Sequence, residues 1–333
     1  MNRLSLSRAR ELLGKARHTR ILVVGDLMLD RYLKGSVERI SPEAPVPVVR
    51  VEEESWALGG AGNVAANVMA LGAGCQVVGV VGADPEGRLL KEALEELGVE
   101  VEGVVETNDR PTTVKTRIMA RHQHVTRVDR EGAADVSPHL ARLLARKVET
   151  LAPEVGGMAL EDYNKGVLVS SLIRTSLGAV LEKDIPVVVD PKRLRFFEFQ
   201  GASVFKPNAR ELESALGEAI RPRDPEWMDE VRLRLGCRTL LLTLGEEGMA
   251  LSSRDEGHLT IPTVARDVYD VSGAGDTVTA VVTVALAAGA SAEDAAILAN
   301  HAAAVEVGKA GVATVTPDEI LEQHEAFIRE EPS

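Results

Sequence analysis

Short apolar runs alternate with longer amphipathic stretches along most of the chain. Ile21–Gly25 (ILVVG) is an apolar run that ends in Gly, the pattern of a strand buried on both faces. Comparable runs recur at Gln76–Val81, Val187–Asp190, Ser203–Phe205 and Thr239–Thr243. Between them, apolar positions fall at helical spacing in Asn63–Leu71, Gly87–Leu97, Pro138–Leu151, Ser170–Glu182, Asn208–Leu216 and Pro225–Leu235. Strands alternating with helices predict an α/β fold, three layers (α/β/α) around a mostly parallel central sheet. Right-handed crossovers then gather the ligand loops at the carboxyl ends of the strands.

Two segments break this rhythm. Residues 32–54 carry Pro42, Pro45 and Pro47 among the apolar positions Val46, Val48 and Val51. Residues 111–129 read as two short strands rich in Thr, Val and Arg. Neither has a crossover helix, so together they predict a small β-sheet lid on one domain spanning residues 1–333. Two surface hairpins without a role are the plain alternative.

Val278–Ala290 is the longest nearly apolar stretch, thirteen residues, which is too short to cross a bilayer and reads as a buried helix. Residues 1–20 are basic and amphipathic, without the apolar centre of a secretory signal. Apolar residues make up 45% and charged residues 27%, an ordinary globular balance that argues against disorder. Lys and Arg number 38 against 51 Asp and Glu, and the net charge of −13 argues against nucleic-acid binding. The two cysteines, Cys75 and Cys237, suit a reducing compartment and offer no zinc spacing. The expectation is a cytoplasmic protein with neither membrane nor nucleic-acid partner.

The most informative string is Asp270-Val271-Ser272-Gly273-Ala274-Gly275-Asp276-Thr277, followed at once by an apolar helix. Gly273 and Gly275 let the backbone expose successive N–H groups, which with the helix N-terminus form a pocket for an anion. Asp276 at that helix start can accept a proton from a hydroxyl attacking a terminal phosphate. It can equally be only the helix cap. No Gly-x4-Gly-Lys-Ser/Thr string occurs, and no Gly-x-Gly-x-x-Gly follows the first strand, so P-loop and dinucleotide folds are disfavoured.

A second glycine cluster, Gly59-Gly60-Ala61-Gly62-Asn63, permits close approach of a polyol or simply a tight turn. Asp30 can bridge two vicinal hydroxyls or pair with Arg31. Asn208 and Glu211, three apart at a helix start, can hold water ligands of Mg²⁺ or form a capping box. Lys192, in Asp190-Pro191-Lys192, can approach phosphate oxygens or stay solvated. Thr243-Leu244-Gly245 ends a strand where a nucleotide could lie. Lys115, Arg117, Arg121, His122 and Arg127 form a basic cluster with no acid between Val114 and Val128.

In order along the chain, these strings resemble the ribokinase-like (PfkB) family of sugar kinases, over about Ile21 to Pro317. A finer likeness is to the branch of that family that phosphorylates D-glycero-β-D-manno-heptose 7-phosphate. It rests on Gly25–Tyr32, Arg39–Val49, Asp162-Tyr163-Asn164-Lys165-Gly166 and Val307–Gly311. One departure is Glu161, where that branch usually has a small residue. The resemblance implies ATP-dependent phosphorylation of the anomeric hydroxyl, on the route to ADP-heptose and the lipopolysaccharide core. Only the kinase step is expected, since no His-x-Gly-His string occurs.

The resemblance makes Asp276 the base and the N–H groups of Gly273, Ala274 and Gly275 the stabilisers of the transferring phosphoryl group. Asp30, Gly60 and Asn63 would hold the sugar. Asn208 and Glu211 would organise Mg²⁺ through water, Asp270 would lie near a K⁺ site, and Asn300 would line the adenine pocket. Lys192, Asn208, Thr243 and Gly245 fall on the nucleotide side. Lys115, Arg117 or Arg121 would reach a substrate phosphate, because arginine binds phosphate bidentately. The lid would pair with a second copy of the chain. Rivals are another carbohydrate kinase of the family, or a regulator that binds sugar or nucleotide without turnover.

Overall fold

The computed structural model describes residues 4–120 and 123–330. Thirteen strands are present among them: β1 (Arg20–Gly25), β2 (Leu27–Ile40), β3 (Pro47–Gly60), β4 (Gly74–Gly82), β5 (Glu100–Thr107), β6 (Thr113–Ala120), β7 (Gln123–Arg130), β8 (Gly157–Glu161), β9 (Val187–Asp190), β10 (Val204–Phe205), β11 (Thr239–Thr243), β12 (Met249–Ser253) and β13 (Gly257–Ile261). Ten helices accompany them: α1 (Leu6–Lys15), α2 (Ala61–Ala70), α3 (Pro85–Glu96), α4 (Pro138–Leu151), α5 (Ser170–Leu181), α6 (Ala209–Leu216), α7 (Pro225–Leu235), α8 (Ala274–Ala287), α9 (Ala292–Val307) and α10 (Pro317–Glu330).

The central sheet has nine strands in the order β13-β12-β11-β10-β9-β8-β1-β4-β5. Pairing is parallel from β5 to β11, and β12 and β13 add an antiparallel edge. Period-two alternation divides each central strand between two cores. Ile21 and Val23 of β1 face the layer that includes α2, α8 and α9, whereas Leu22 and Val24 face the layer of α4, α5 and α7. The three-layer α/β/α reading is therefore correct. The expected helices also stand where the spacing placed them, most within two residues at each end.

The second sheet has the order β3-β2-β6-β7. Its strands are longer than the inserts read from sequence. β2 begins at Leu27, two residues after β1 ends, and β3 runs to Gly60 at the doorstep of α2. Asp30 and Gly60 are therefore lid residues rather than core loops. Prolines mark only the connection at the far tip, which is why residues 32–54 alone stood out. The strands β5, β12 and β13 were not evident from sequence. The antiparallel strands β12 and β13 mix Ser, Thr and His with their apolar positions, which weakens the buried-run signal. No described helix is long and apolar enough to cross a membrane.

Candidate active site

Parallel pairing brings the carboxyl ends of β1, β8, β9, β10 and β11 to one edge of the sheet, and α8 starts above it. Gly273 caps α8 with φ +97°, a left-handed angle natural to glycine. A side chain there would also meet Asn63 Nδ2 at 3.0 Å and Glu306 Oε1 at 3.3 Å. Gly275 is helical, so its role is not the unusual backbone angle expected of it. The first helix-type bond runs from the Thr277 N–H to the Gly273 carbonyl at 2.9 Å. The Ala274 N–H turns back weakly to the Val271 carbonyl at 3.5 Å. Those of Gly273, Gly275 and Asp276 make no hydrogen bond among the described residues. Unsatisfied amides at a helix N-terminus form an anion cradle.

Asp276 is buried and does not cap α8. One carboxylate oxygen accepts from Asn63 Nδ2 at 2.8 Å, and the other accepts from the Tyr163 hydroxyl at 2.7 Å. Burial pushes this carboxyl up to about 6, against the pull of those two donors toward the charged form. Asn63 is buried; its Nδ2 donates one hydrogen to Asp276 and keeps a second, and its Oδ1 accepts from Asn67 at 3.2 Å. It aims the Asp276 carboxylate. Tyr163, to which the sequence reading assigned no role, is the second residue that does so.

Asp26 holds the Tyr163 loop. It is buried and accepts from the backbone N–H groups of Tyr163, Lys165 and Val167 at 2.8, 2.9 and 3.2 Å. Gly60 sits against it at φ +55°, and a side chain there would meet the Asp26 carbonyl oxygen at 2.5 Å. Gly60→Ala is expected to cost at least about 2 kcal/mol, since strain and clash act together. Thermal unfolding of the variant checks this, and an unchanged midpoint would remove Gly60 from the site's scaffold.

The register of β8 on β9 pairs Glu161 with Asp190. Leu160 and Val189 face one core, so the next residues turn to the opposite face, where Asp276 lies. One carboxylate oxygen from each of Glu161, Asp190 and Asp276 lies within 4.8 Å of the others. Asp190 is neutralised by Lys206 at 2.8 Å and Lys192 at 3.3 Å. Burial pushes Asp190 up, but the two lysines outweigh it and hold the carboxyl below its usual range. Lys206 is itself buried, and its Nζ lies 3.7 Å from where a Gly275 side chain would begin. Sequence reasoning assigned no role to Lys206, Asp190 or Asp26. The signal lay in the last positions of buried strands, which the parallel register sets side by side.

Asn208 and Glu211 form the capping box, with reciprocal bonds of 2.8 and 2.9 Å. Glu211 Oε1 also accepts from Lys192 at 2.7 Å. Each oxygen of this pair keeps a free lone pair, so the two residues suit water ligands of Mg²⁺ while capping α6. Burial pulls Lys192 down, but Asp190 and Glu211 keep it protonated, and its Nζ stands 4.9 Å above the Tyr163 ring. Thr243 bridges to Asn208, and Gly245 begins a tight turn beside it. Asp270 accepts from the Ser272 N–H at 2.9 Å and so shapes the cradle loop. Asn300 is buried, and its amide donates to the Pro262 carbonyl at 2.8 Å, which ties down a loop.

The lid faces this edge. Its register pairs Asp30 with Lys115 and Tyr32 with Arg117, all on one side of the sheet. Arg117 forms a largely buried ion pair with Asp30. Lys115 stands 4.9 Å from the Tyr163 ring centroid. Arg121 and His122 lie outside the described residues.

A carboxylate aimed across an amide cradle, under a lid that carries acid and base on its inner face, is the architecture of a carbohydrate kinase. The pfkB family carbohydrate kinase model matches residues 18–319, and the chain belongs to that family. Among individual proteins, it is 45% identical over 308 residues to "Bifunctional protein HldE" of Geobacter sulfurreducens, covering 90% of this chain and 62% of that protein. It is 42% identical over 318 residues to the protein of the same name from a Nitratiruptor species, covering 94% and 66%. The chain thus spans less than two thirds of the length of these relatives. Phosphofructokinase-2 from Escherichia coli in complex with potassium superposes with a TM-score of 0.79 at 21% identity, covering 93% of this chain and all of that one. Arabidopsis thaliana ribokinase complexed with ribose and ATP gives 0.70 at 23%, covering 92% and 98%. Identities this low speak to the fold alone.

Proposed function

We propose that this chain transfers the terminal phosphoryl group of ATP to the anomeric hydroxyl of D-glycero-β-D-manno-heptose 7-phosphate. The product would be the 1,7-bisphosphate that feeds ADP-heptose and the lipopolysaccharide core. The observation that carries the phosphotransfer is Asp276, held by two donors beside amides that have no partner of their own. The sugar O–H gives its proton to Asp276. Its oxygen forms a bond to the terminal phosphorus, and the bond from that phosphorus to the leaving oxygen of ADP breaks. The amides of Gly273 and Gly275, with Lys206 nearby, oppose the charge that gathers on the phosphoryl oxygens.

Mg²⁺, when bound, would neutralise the phosphates. Asn208 and Glu211 would hold it through water. The proposal extends to K⁺ at Asp270 and to nucleotide contacts from Lys192, Thr243 and Gly245.

The heptose phosphate is favoured by the strings of Gly25–Tyr32 and Arg39–Val49, and by the lid's cations. Asp30 would hold sugar hydroxyls beside the Gly59–Gly60 backbone. Lys115 and Arg117 would meet the distal phosphate. A second copy of the chain would cover the lid, whose tip and edges expose Ile40, Val46, Val51 and Val128.

A coupled ADP-release screen over free and phosphorylated C5–C7 sugars tests the substrate. Turnover of ribose or a fructose phosphate in preference would replace the heptose. Lys115→Met is expected to lower kcat/KM for the phosphorylated sugar by about 10- to 100-fold, a charge-assisted contact. The free sugar should change far less. An unchanged ratio between the two sugars would take Lys115 off the phosphate.

A further inference from the structure

We propose that Glu161 works as an uncharged carboxylic acid beside the phosphate cradle, and that losing its proton repels the nucleotide. The proposal rests on the reading that the terminal phosphates lie against the α8 amides. Glu161 is fully buried, and neither of its oxygens has a hydrogen-bond donor among the described residues. An ionised carboxylate left in that state is costly, and the group keeps its proton instead.

The neighbours decide which of the three acids holds the proton. Asp190 has Lys206 and Lys192. Asp276 has the Asn63 amide and the Tyr163 hydroxyl, and both stabilise its charge. Glu161 has neither cation nor donor in contact, so the proton settles there. The charged groups that act on it most strongly are Asp190 and Lys192 from the β9 end, Lys206 after β10 and Asp276 from α8. The neutral Tyr163 hydroxyl after β8 lies in the same field. Glu306 of α9, buried and without a hydrogen-bond donor among the described residues, lies against Gly273 and acts on Asp276. Asp26, at the end of β1, directs its carboxylate at the backbone of residues 163–167. Burial, followed by Asp190 and Asp276, raises the Glu161 carboxyl well above the ordinary carboxylate range. A divalent ion on the three acids is the alternative resolution. The two lysines on Asp190 already occupy that role, and they would repel such an ion.

As an uncharged acid, Glu161 leaves the cradle one negative charge lighter when polyphosphate arrives. It also leaves Asp276 as the ionised acid able to take the sugar proton.

Two measurements on the full chain test this, with Glu161→Gln as an uncharged mimic. The first is thermal unfolding against pH. The unfolded Glu ionises near its usual value of about 4.3, whereas the folded one keeps its proton. The wild type therefore loses stability as pH rises above that value, and the variant escapes this loss. The midpoint of the variant should climb relative to wild type between pH 5 and pH 8. A gap that does not change with pH overturns the proposal.

The second is calorimetric binding of the magnesium complex of AMP-PNP. Between pH 7 and pH 10 the wild type should lose at least about tenfold more affinity than the variant. Parallel curves overturn the proposal. So does binding of Mn²⁺ alone to the wild type that the variant lacks, because the cluster would then be a metal site. Glu161→Ser serves the same two measurements where the Gln variant does not fold. Failure of the wild type to turn over any sugar would count against the kinase reading, and the unfolding result would stand independently.

Discussion

Asp276→Asn should lower kcat by about 10²- to 10⁴-fold, the range a general base supplies. The fold should survive. The carboxylate accepts two hydrogen bonds, from Asn63 Nδ2 and from the Tyr163 hydroxyl. An asparagine can keep the first through its carbonyl and donate to the hydroxyl oxygen in place of the second. The substitution also removes a buried charge. The reason for tolerance is thus geometric and has nothing to do with helix capping, since Gly273 is the cap of α8. Steady-state kinetics beside thermal unfolding would separate the two effects. A variant of equal activity would remove Asp276 from the chemistry. In the wild type, kcat/KM should fall as pH drops through about 6, where burial has placed this carboxyl, because the base is then protonated. An acid limb near 4 would show that burial does not raise this carboxyl in the free enzyme, because kcat/KM reports free-enzyme groups.

Arg117→Ala should destabilise the protein by about 3 kcal/mol, the lower part of the range for removing one partner of a buried pair. Asp30 would be left buried in the lid without its guanidinium. The variant is therefore a poor probe of substrate phosphate by itself, since it disturbs the sugar-facing acid as well. Arg117→Met with Asp30→Asn should recover most of the lost stability while activity stays low. Denaturant melts of the two singles and the double give the coupling. Additive losses would show that the pair contributes nothing to the lid and that each residue acts alone.

The lid also marks where sequence reading stops. Pro42, Pro45 and Pro47 drew attention to the tip of β2–β3, and the cationic run to β6–β7. That Asp30, Tyr32, Lys115 and Arg117 share one face depends on the β2–β6 register. This parallel pairing joins residues about 85 positions apart and has no local trace. Asn63 shows the same limit. Its place at the start of α2 was legible in the glycine cluster, but its partner lies 213 residues along the chain. A neutral amide near a sugar site suggested hydroxyl recognition. Only the packing of α2 on α8 turned it toward Asp276.

By itself the sequence determined the layered fold, the cradle string at residues 270–277, the family and the cationic run between Val114 and Val128. These are local facts: periodicity, glycine placement and short strings act through neighbouring residues. The tertiary structure decided which charges meet. It set Glu161 beside Asp190 and Asp276, gave Asp190 two lysines and left Glu161 without a donor. Charges interact through space and through the water that burial removes. Neither distance nor burial exists until the strands are in register and the helices have closed over them.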